Sequence, residues 1–406
     1  MIYYVDNING ASSNDGLTPQ TAVASYKDLT IAAGDKILFR SGCVFYEHLK
    51  CVDGTQENPT VYGAYGTGEK PIFSFAYYLD DESLWQECEQ NIWKYTGVLP
   101  SEPGNIYFDG GWGMLRWDYA ELKDQGDWYY THIGFTIKPE TCPEEEKNTP
   151  KILYMYSAEN PAKVYKNLKG ALINDWFISY AESHVVIENL AFEYSGALAF
   201  ESYRANNVTI RGCDYRYIGG AVWHRYLKIR YGNAIEFWTY CRDILIENCT
   251  FDEVYDSCTT HQGSGEYKTP ENIKIINNRF KNYGMAAYEL RDKISYNTYF
   301  CNNVCENAGV GMCVDYVEGP RHSEIYPQPM GHHLFIWRID EPTPGGFVEI
   351  SGNTFGSAPC GSAIYSIINE QAEAQLIIKD NVFSNDCDTL IKMGGKYYSE
   401  KTFNER

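Results

Sequence analysis

The sequence predicts an all-β protein built as a parallel β-helix, a solenoid of stacked coils, with a small antiparallel β subdomain inserted into it. Three observations predict this class. An eight-residue pattern occurs seven times in the second half of the chain. No helical periodicity fills the gaps between the copies. The composition, with 35 Tyr, 9 Trp and 35 Gly, is typical of short strands and tight turns.

The chain divides into three predicted regions. Residues 1–95 contain strand-like pieces such as Lys36 to Arg40, and they predict an N-terminal cap with the opening coils. Residues 96–180 contain aromatic runs such as Asp127 to Tyr130, separated by an acidic loop, and they predict the hairpins of the inserted subdomain. Residues 181–406 contain the repeats, so they predict the main rungs of the β-helix and the functional site.

Each repeat reads apolar, any, Ile, any, Asn or Gly, Asn or Cys, any, aromatic, with a unit of about 24 residues. Its central apolar positions are Ile187, Ile210, Ile246, Ile275, Phe300, Ile350 and Ile378. Because strands of successive coils stack in register, the six isoleucines predict an internal aliphatic stack. The last position of the pattern predicts an aromatic stack. The sixth predicts a ladder of Asn278, Asn303, Asn353 and Asn381.

The charge of the chain indicates which classes of ligand it is suited to bind. The chain has 54 Asp and Glu against 34 Lys and Arg, a formal charge of −20, which disfavours nucleic acid and polyuronates and favours a neutral glycan. The sequence contains no run of 18 apolar residues, so it predicts no membrane-spanning helix. No basic segment with a following apolar segment opens the chain, so we expect a cytoplasmic protein, or a secreted one if a signal peptide has been removed. The oligomeric state stays open.

The chain resembles the right-handed parallel β-helix, or pectin-lyase-like, carbohydrate-active enzymes, in particular their glycoside hydrolase branch. The carrying segments are 3–6, 13–19, 34–40, 125–130 and 153–157, together with the rungs. The resemblance implies a right-handed coil and a glycan substrate. Lacto-N-biosidase-type hydrolases are among the enzymes that it resembles, although their paired aspartates are not evident at matching positions, so the linkage stays open.

Aligning the rungs places acidic residues in one strand column. The position 14 residues after the central Ile is Glu201 in the first rung, Glu236 in the second after allowing for a longer loop, Thr260 in the third and Glu289 in the fourth. In the fifth rung it is Val314, with Asp315 next to it. Apolar residues flank the glutamates, and because side chains alternate along a strand, the carboxylates are predicted to point outward.

Glu236 is the predicted general acid, with Glu289 or Asp256 as the base or nucleophile and Asp315 as a further catalytic candidate. Glu236 and Glu289 are two rungs apart, about 9.6 Å between backbones, which suits an inverting hydrolase. Glu201 is one rung from Glu236, at the roughly 5 Å of a retaining pair. Both outcomes stay open at this point.

Further residues are predicted to bind the substrate. Trp238, Gln262 and Arg291 each lie two residues after the acidic column in their strands, so they share its outward face. A Trp suits stacking on a sugar ring, and Gln and Arg suit hydrogen bonds to its hydroxyls. Glu201 lies beside them. His261 is either a buried structural residue or a site residue.

Two long insertions are predicted to form walls of the site. The basic, aromatic loop 223–231, which includes His224 and Arg225, predicts one wall. The long interval between residues 300 and 350 predicts the opposite wall. It contains Arg321 and His322, and also His332 and His333. Two adjacent histidines are a weak signal for a metal, so we expect no metal and no cofactor.

The predicted function is hydrolysis of a glycosidic bond in a neutral oligosaccharide or polysaccharide by two carboxyl groups. A first alternative is a polysaccharide lyase or epimerase acting on a uronate-containing glycan, for which Lys228, Arg230 and Arg225 could supply basic groups. A second alternative is a non-catalytic β-helix that binds glycans, in which the acidic column would be incidental.

Overall fold

Three long parallel sheets, here called A, B and C, wrap around one hydrophobic core in the computed structural model of the chain. The structure describes residues 1–263, 268–314, 330–384 and 391–405. Each full coil adds one strand to sheet A, then one to sheet B and one to sheet C. This architecture confirms the parallel β-helix predicted from the repeats.

The strands of the three sheets follow the chain. Sheet A contains Ile2–Val5, Lys36–Arg40, Thr60–Tyr65, Ser183–Glu188, Asn206–Arg211, Arg242–Glu247, Glu271–Ile276, Tyr296–Cys301, Val348–Ser351 and Leu376–Lys379. Sheet B contains Val44–Phe45, Ile72–Ser74, Ala191–Glu193, Asp214–Ile218, Thr250–Val254, Arg279–Tyr283, Val304–Ala308, Thr354–Phe355 and Val382–Phe383. Sheet C contains Leu49–Lys50, Ser179–Tyr180, Phe200–Tyr203, Ile235–Trp238, Ser257–Gln262, Ala286–Arg291, His332–Trp337, Ile364–Ile367, Ile391–Met393 and the antiparallel Lys396–Tyr398.

A mainly antiparallel insertion lies between the early coils and the main rungs. Its four-stranded sheet contains Ala76–Tyr78, Pro103–Phe108, Gly111–Trp112 and Lys169–Leu172. Its five-stranded sheet contains Trp85–Glu89, Ile92–Tyr95, Met114–Leu115, Asp127–Tyr130 and Leu153–Tyr156. Its first strands thus lie before residue 96, because the aromatic side chains of Trp85 and Tyr95 pack with Trp128 in a core of their own.

The repeat positions meet their counterparts in neighbouring coils. Ile187, Ile210, Ile246, Ile275, Phe300, Ile350 and Ile378 pair in that order along sheet A. Along sheet B the order is Phe192, Tyr215, Phe251, Phe280, Cys305, Phe355 and Phe383. Ring centroids in the first four are 4.8 to 5.1 Å apart in stacked geometry. A thiol therefore interrupts the predicted aromatic stack at one rung.

The Asn-or-Gly position of the repeat turns the chain from sheet A to sheet B. Every copy adopts a positive φ there, as at Asn277 with 57° and Gly352 with 65°, a conformation that Asn and Gly tolerate best. The next residue forms the asparagine ladder. Asn303 donates its backbone N–H and its side-chain amide to Oδ1 of Asn353, at 2.9 and 3.2 Å, and Asn353 does the same to Asn381. Buried polar groups at this turn are thereby satisfied.

Helices are short in this fold. The α-helices of the described residues are Pro161–Val164, Glu370–Glu373 and Glu400–Asn404. Single 3₁₀ turns occur at Pro19–Thr21, Tyr26–Asp28, Glu82–Leu84, Tyr119–Glu121 and Pro139–Thr141. Within the part of the chain that the structure describes, none of the helices has the length and apolar character that crossing a bilayer requires. The described cysteines are all free thiols.

Candidate active site

The outer face of sheet C holds a column of glutamates. The register pairs Glu201 with Glu236, Glu236 with Thr260, and Thr260 with Glu289. The residues that flank the last two glutamates in their strands lie in the main core: Ile235, Phe237, Tyr288 and Leu290. Because side chains alternate along a strand, the three carboxyl groups project from the opposite face, toward one cavity.

The fifth position of the column is Phe335, which pairs with Glu289. The prediction that Val314 or Asp315 takes this position is wrong. The long interval before residue 350 places its extra residues ahead of the strand His332–Trp337, so a fixed offset from Phe300 ends too early. Val314 packs instead against a small separate hydrophobic cluster. Asp315 itself lies outside the described residues.

The cavity over this column has a volume of about 520 Å³. It brings together most of the residues that the sequence singled out: Glu201, Glu236, Trp238, Asp256, Gln262, Glu289 and Arg291. Six of these residues come from the sheet C strands of four consecutive coils, and Asp256 comes from the turn that precedes one of them. The stacking of the coils therefore assembles the site from positions up to 90 residues apart in the chain.

Three predicted substrate-binding residues lie elsewhere. His261 points into the core between Tyr288 and Ser295, whose hydroxyls are each 3.0 Å from its ring nitrogens, and burial lowers the pKa of this imidazole to about 4. His261 is thus a buried histidine, as the alternation along its strand requires. His224 accepts a hydrogen bond from the backbone of Leu227 and does not line the cavity.

Arg225 is turned toward the inserted subdomain. Its guanidinium lies 2.9 Å from Glu146 and stacks over Phe135. The basic groups considered for a lyase are also placed away from the cavity. Arg230 is buried and donates to the carbonyl oxygens of Gly104 and Gly220, and Lys228 is absent from the described cavity lining.

Aromatic residues form the walls of the cavity, and several of them escaped the sequence analysis. The hairpin of Ala221–His224 and Ile229–Tyr231 supplies Trp223 and Tyr231, whose ring centroids are 5.5 Å apart. Both rings pack with Trp176, at centroid distances of 6.1 and 6.3 Å. Loop 223–231 therefore does line one side. The Tyr231 hydroxyl is buried without a hydrogen-bond partner among the described residues, so it is available to a ligand.

Trp337 and Arg338 form the opposite side of the cavity. The Trp337 ring is flanked by the guanidinium groups of Arg338, at 4.5 Å, and Arg291, at 5.2 Å. His332 and His333, expected on this wall, are buried instead. Burial lowers the pKa of His332 to about 3 and of His333 to about 4.

Glu236 is almost completely buried at the base of the cavity, with 7% of its surface exposed. Burial, together with the nearby charges of Glu201, Glu289 and Asp256, raises its pKa to about 8. A hydrogen bond from the Asn233 amide, 2.6 Å from Oε2, opposes this shift. The carboxyl group is therefore protonated at neutral pH, as a general acid requires.

Glu289 has a different environment. The Trp337 indole N–H donates to its Oε1 at 2.7 Å, and the Ser257 hydroxyl donates to Oε2 at 3.3 Å. The Arg291 guanidinium is 3.9 Å from Oε1. These donors and this cation stabilise a carboxylate. The two glutamates thus differ in a way that suits an acid and a base.

Asn233 and Ser257 connect the two glutamates. The Ser257 backbone N–H donates to Oδ1 of Asn233 at 3.0 Å, while the Asn233 amide holds Glu236 and the Ser257 hydroxyl holds Glu289. Sequence analysis missed both residues, because neither is an acid, a base or an aromatic. Burial also raises the pKa of Glu201, with a contribution from the Asp175 charge and an opposing hydrogen bond from Tyr203.

Among the described residues, no group of three or more His, Cys, Asp and Glu is arranged to hold a metal ion. No protein-family model matches the chain, and no curated protein matches it. Solved structures do match it. The GH136 lacto-N-biosidase from Eubacterium ramulus superposes with a TM-score of 0.54 at 14% identity, over 96% of this chain and 57% of that one. Its selenomethionine derivative gives 0.55, again at 14% identity, over 97% of this chain and 62% of that one.

The chain has the right-handed parallel β-helix fold. At 14% identity the likeness concerns the fold alone. The chain also spans only about three fifths of the length of those two structures.

Proposed function

We propose that the chain is a glycoside hydrolase that cleaves a glycosidic bond in a neutral oligosaccharide or polysaccharide. One observation carries the proposal. A buried carboxyl group with a pKa of about 8, Glu236, faces the same aromatic-walled cavity as Glu289, a carboxylate held by an indole N–H and a hydroxyl. Such a pair, one carboxyl group protonated and the other held by hydrogen-bond donors, is the arrangement that acid and base catalysis needs. The structural likeness to a lacto-N-biosidase is in keeping with it.

In the proposed reaction, Glu236 donates its proton to the glycosidic oxygen while the bond from that oxygen to the anomeric carbon breaks. The leaving sugar departs as an alcohol. A water molecule attacks the anomeric carbon, and Glu289 accepts its proton. Glu236 ends ionised and Glu289 protonated, and exchange with solvent restores both. The Asn233 amide keeps the acid aimed at the cavity throughout.

The spacing of the two glutamates favours inversion at the anomeric carbon. Thr260 lies between them in the register, so their backbones are two strand spacings apart, about 9.6 Å. Inverting enzymes separate their carboxyl groups by about 6.5 to 9.5 Å, which leaves room for the water. Glu201 is only one spacing from Glu236, but burial raises its pKa as well, which disfavours the ionised form that a base or nucleophile must have.

The cavity lining favours a neutral sugar. Its walls offer indole and phenol rings to the C–H faces of pyranoses. Four carboxyl groups line it, of which Glu236 is protonated at neutral pH, against two guanidinium groups, so a uronate would find no net positive charge there. A lyase would also need a basic residue near the uronate carbon that loses its proton. The basic side chains predicted for that role lie outside the described lining.

The test is a screen of aryl glycosides and of milk, mucin and plant oligosaccharides, with reducing ends and ultraviolet absorbance measured together. Hydrolysis releases reducing ends alone, whereas a lyase also forms an unsaturated product that absorbs. We expect Glu236→Gln and Glu289→Gln each to lower kcat on the oligosaccharides by about a thousandfold. Glu271→Gln, the same change at an exposed position in sheet A, is the control. Full turnover in both active-site variants, or ultraviolet-absorbing products, would contradict the proposal.

A further inference from the structure

A second cavity lies beyond the candidate active site on the same face of sheet C. The outward column continues past Glu289 through Phe335, Tyr365 and Lys392, which pair in that order. The neighbouring outward position pairs Arg291 with Trp337 and Trp337 with Ile367. The trough that holds the glutamates is therefore continued by three further coils toward the C-terminal end of the solenoid.

This distal cavity has a volume of about 500 Å³, which is within the range of small-molecule sites. It begins at Ile339 and Asp340, directly after Arg338 of the first cavity in the chain. Its lining combines Tyr365, Ile367 and Asn369 with Lys392. Ile367 is 53% exposed, an apolar surface on the floor of a polar depression. A sugar ring presents the same combination of C–H faces and hydroxyl groups.

Lys392 and Tyr365 supply the polar contacts of the depression. The Lys392 ammonium lies 4.8 Å from the ring centroid of Tyr365 and 5.6 Å from that of Tyr397. The Phe335 ring stacks on Tyr365 at 5.7 Å. Because Phe335 and Lys392 cover the Tyr365 ring, Tyr365 contributes its hydroxyl rather than a stacking face. An ammonium offers three donors to sugar hydroxyls.

The distance from Glu289 to the distal cavity determines which sugar ring of a substrate the cavity would bind. Tyr365 and Lys392 are two and three strand spacings from Glu289, about 10 to 14 Å, or roughly two to three sugar rings along the trough. We propose that this cavity is a distal subsite, in which Tyr365 and Lys392 bind a non-reacting sugar of an extended neutral oligosaccharide. The inference rests on the proposed function. It makes the preferred substrate a chain of at least three or four rings rather than a disaccharide.

The experiment compares Lys392→Met, which keeps the aliphatic stem, and Tyr365→Phe, which removes one hydroxyl, with Lys396→Met. Lys396 is an exposed lysine of the same terminal hairpin that does not line the described cavity. For each protein, kcat/KM is measured on an aryl glycoside that the wild-type protein hydrolyses and on a six-ring oligosaccharide of the same linkage. We expect the ratio of the long to the short substrate to fall about three- to tenfold in the first two variants. In Lys396→Met it stays within about twofold.

An unchanged ratio in both Lys392→Met and Tyr365→Phe would overturn the inference. Calorimetric titration of the Glu236→Gln protein with neutral oligosaccharides of two to six rings separates it from the proposed function. The distal subsite is supported, even if no substrate is hydrolysed, when affinity rises with the number of sugar rings in the Glu236→Gln protein but not in the double variant that also carries Lys392→Met. Affinity independent of length, together with normal hydrolysis, contradicts the subsite and leaves the proposed function standing.

Discussion

Glu236→Gln is expected to stabilise the protein at alkaline pH. Burial raises the pKa of Glu236 from its ordinary 4.5 to about 8, so between these values the folded chain holds a proton that the unfolded chain has released. The free energy of unfolding therefore falls as the pH rises from about 4.5 to about 8, and the loss is complete above pH 8. At 1.36 kcal/mol per pH unit the loss is at most about 5 kcal/mol. A glutamine has the shape of the protonated acid but does not ionise, so the Glu236→Gln variant does not undergo this loss of stability.

Thermal unfolding followed by circular dichroism at pH 5 and pH 9 measures this effect. Between pH 5 and pH 9 the loss is about 4 kcal/mol. A chain of 406 residues has an unfolding entropy of about 0.85 kcal/mol/K, so the wild-type Tm should fall by about 5 °C more than that of Glu236→Gln between the two pH values. Glu271→Gln, at an exposed position, corrects for the general effect of losing one carboxylate. Equal pH dependence in wild type and Glu236→Gln would refute the reasoning that Glu236 is protonated when folded.

Three further predictions follow from the same contacts. The pH profile of kcat/KM should fall tenfold per pH unit above about pH 8, where Glu236 loses the proton that the leaving group needs; a flat profile to pH 9.5 would contradict this role. Trp337→Phe removes the indole donor to Glu289 and should lower kcat/KM about ten- to hundredfold while far-ultraviolet circular dichroism stays unchanged; a loss below about twofold would contradict the assignment. Asn353→Ala should cost about 2 to 4 kcal/mol in urea unfolding, because it leaves buried backbone groups without partners, whereas Asn381→Ala, at the end of the ladder, should cost less than half as much.

The fold could be read from the sequence because its repeat is set by backbone conformation. At the turn from sheet A to sheet B, Asn or Gly takes the positive-φ position in six of the seven copies, as at Asn277 and Gly352, and Asp380 takes it in the last. A buried apolar residue lies two positions earlier in each copy. These constraints are local, so they appear in every copy. Once the coils are counted, the register of Glu201, Glu236 and Glu289 follows by arithmetic.

The rest of the site depended on features that do not repeat. The fixed offset failed after Phe300, because the connection to the next sheet C strand is longer there than in the other coils, and it missed Phe335 and Trp337. Trp176 comes from a connection before the first complete repeat. Asn233 acts through hydrogen bonds that only the three-dimensional structure brings together.

The most direct test of the central claim, that Glu236 protonates the leaving group, is the dependence of Glu236→Gln activity on leaving-group acidity. The account predicts that the variant loses about a thousandfold in kcat/KM on natural oligosaccharides and on phenyl glycosides with poor leaving groups, but less than about tenfold on dinitrophenyl glycosides, which depart without a proton. Equal losses on both kinds of substrate, or no loss on either, would contradict the claim.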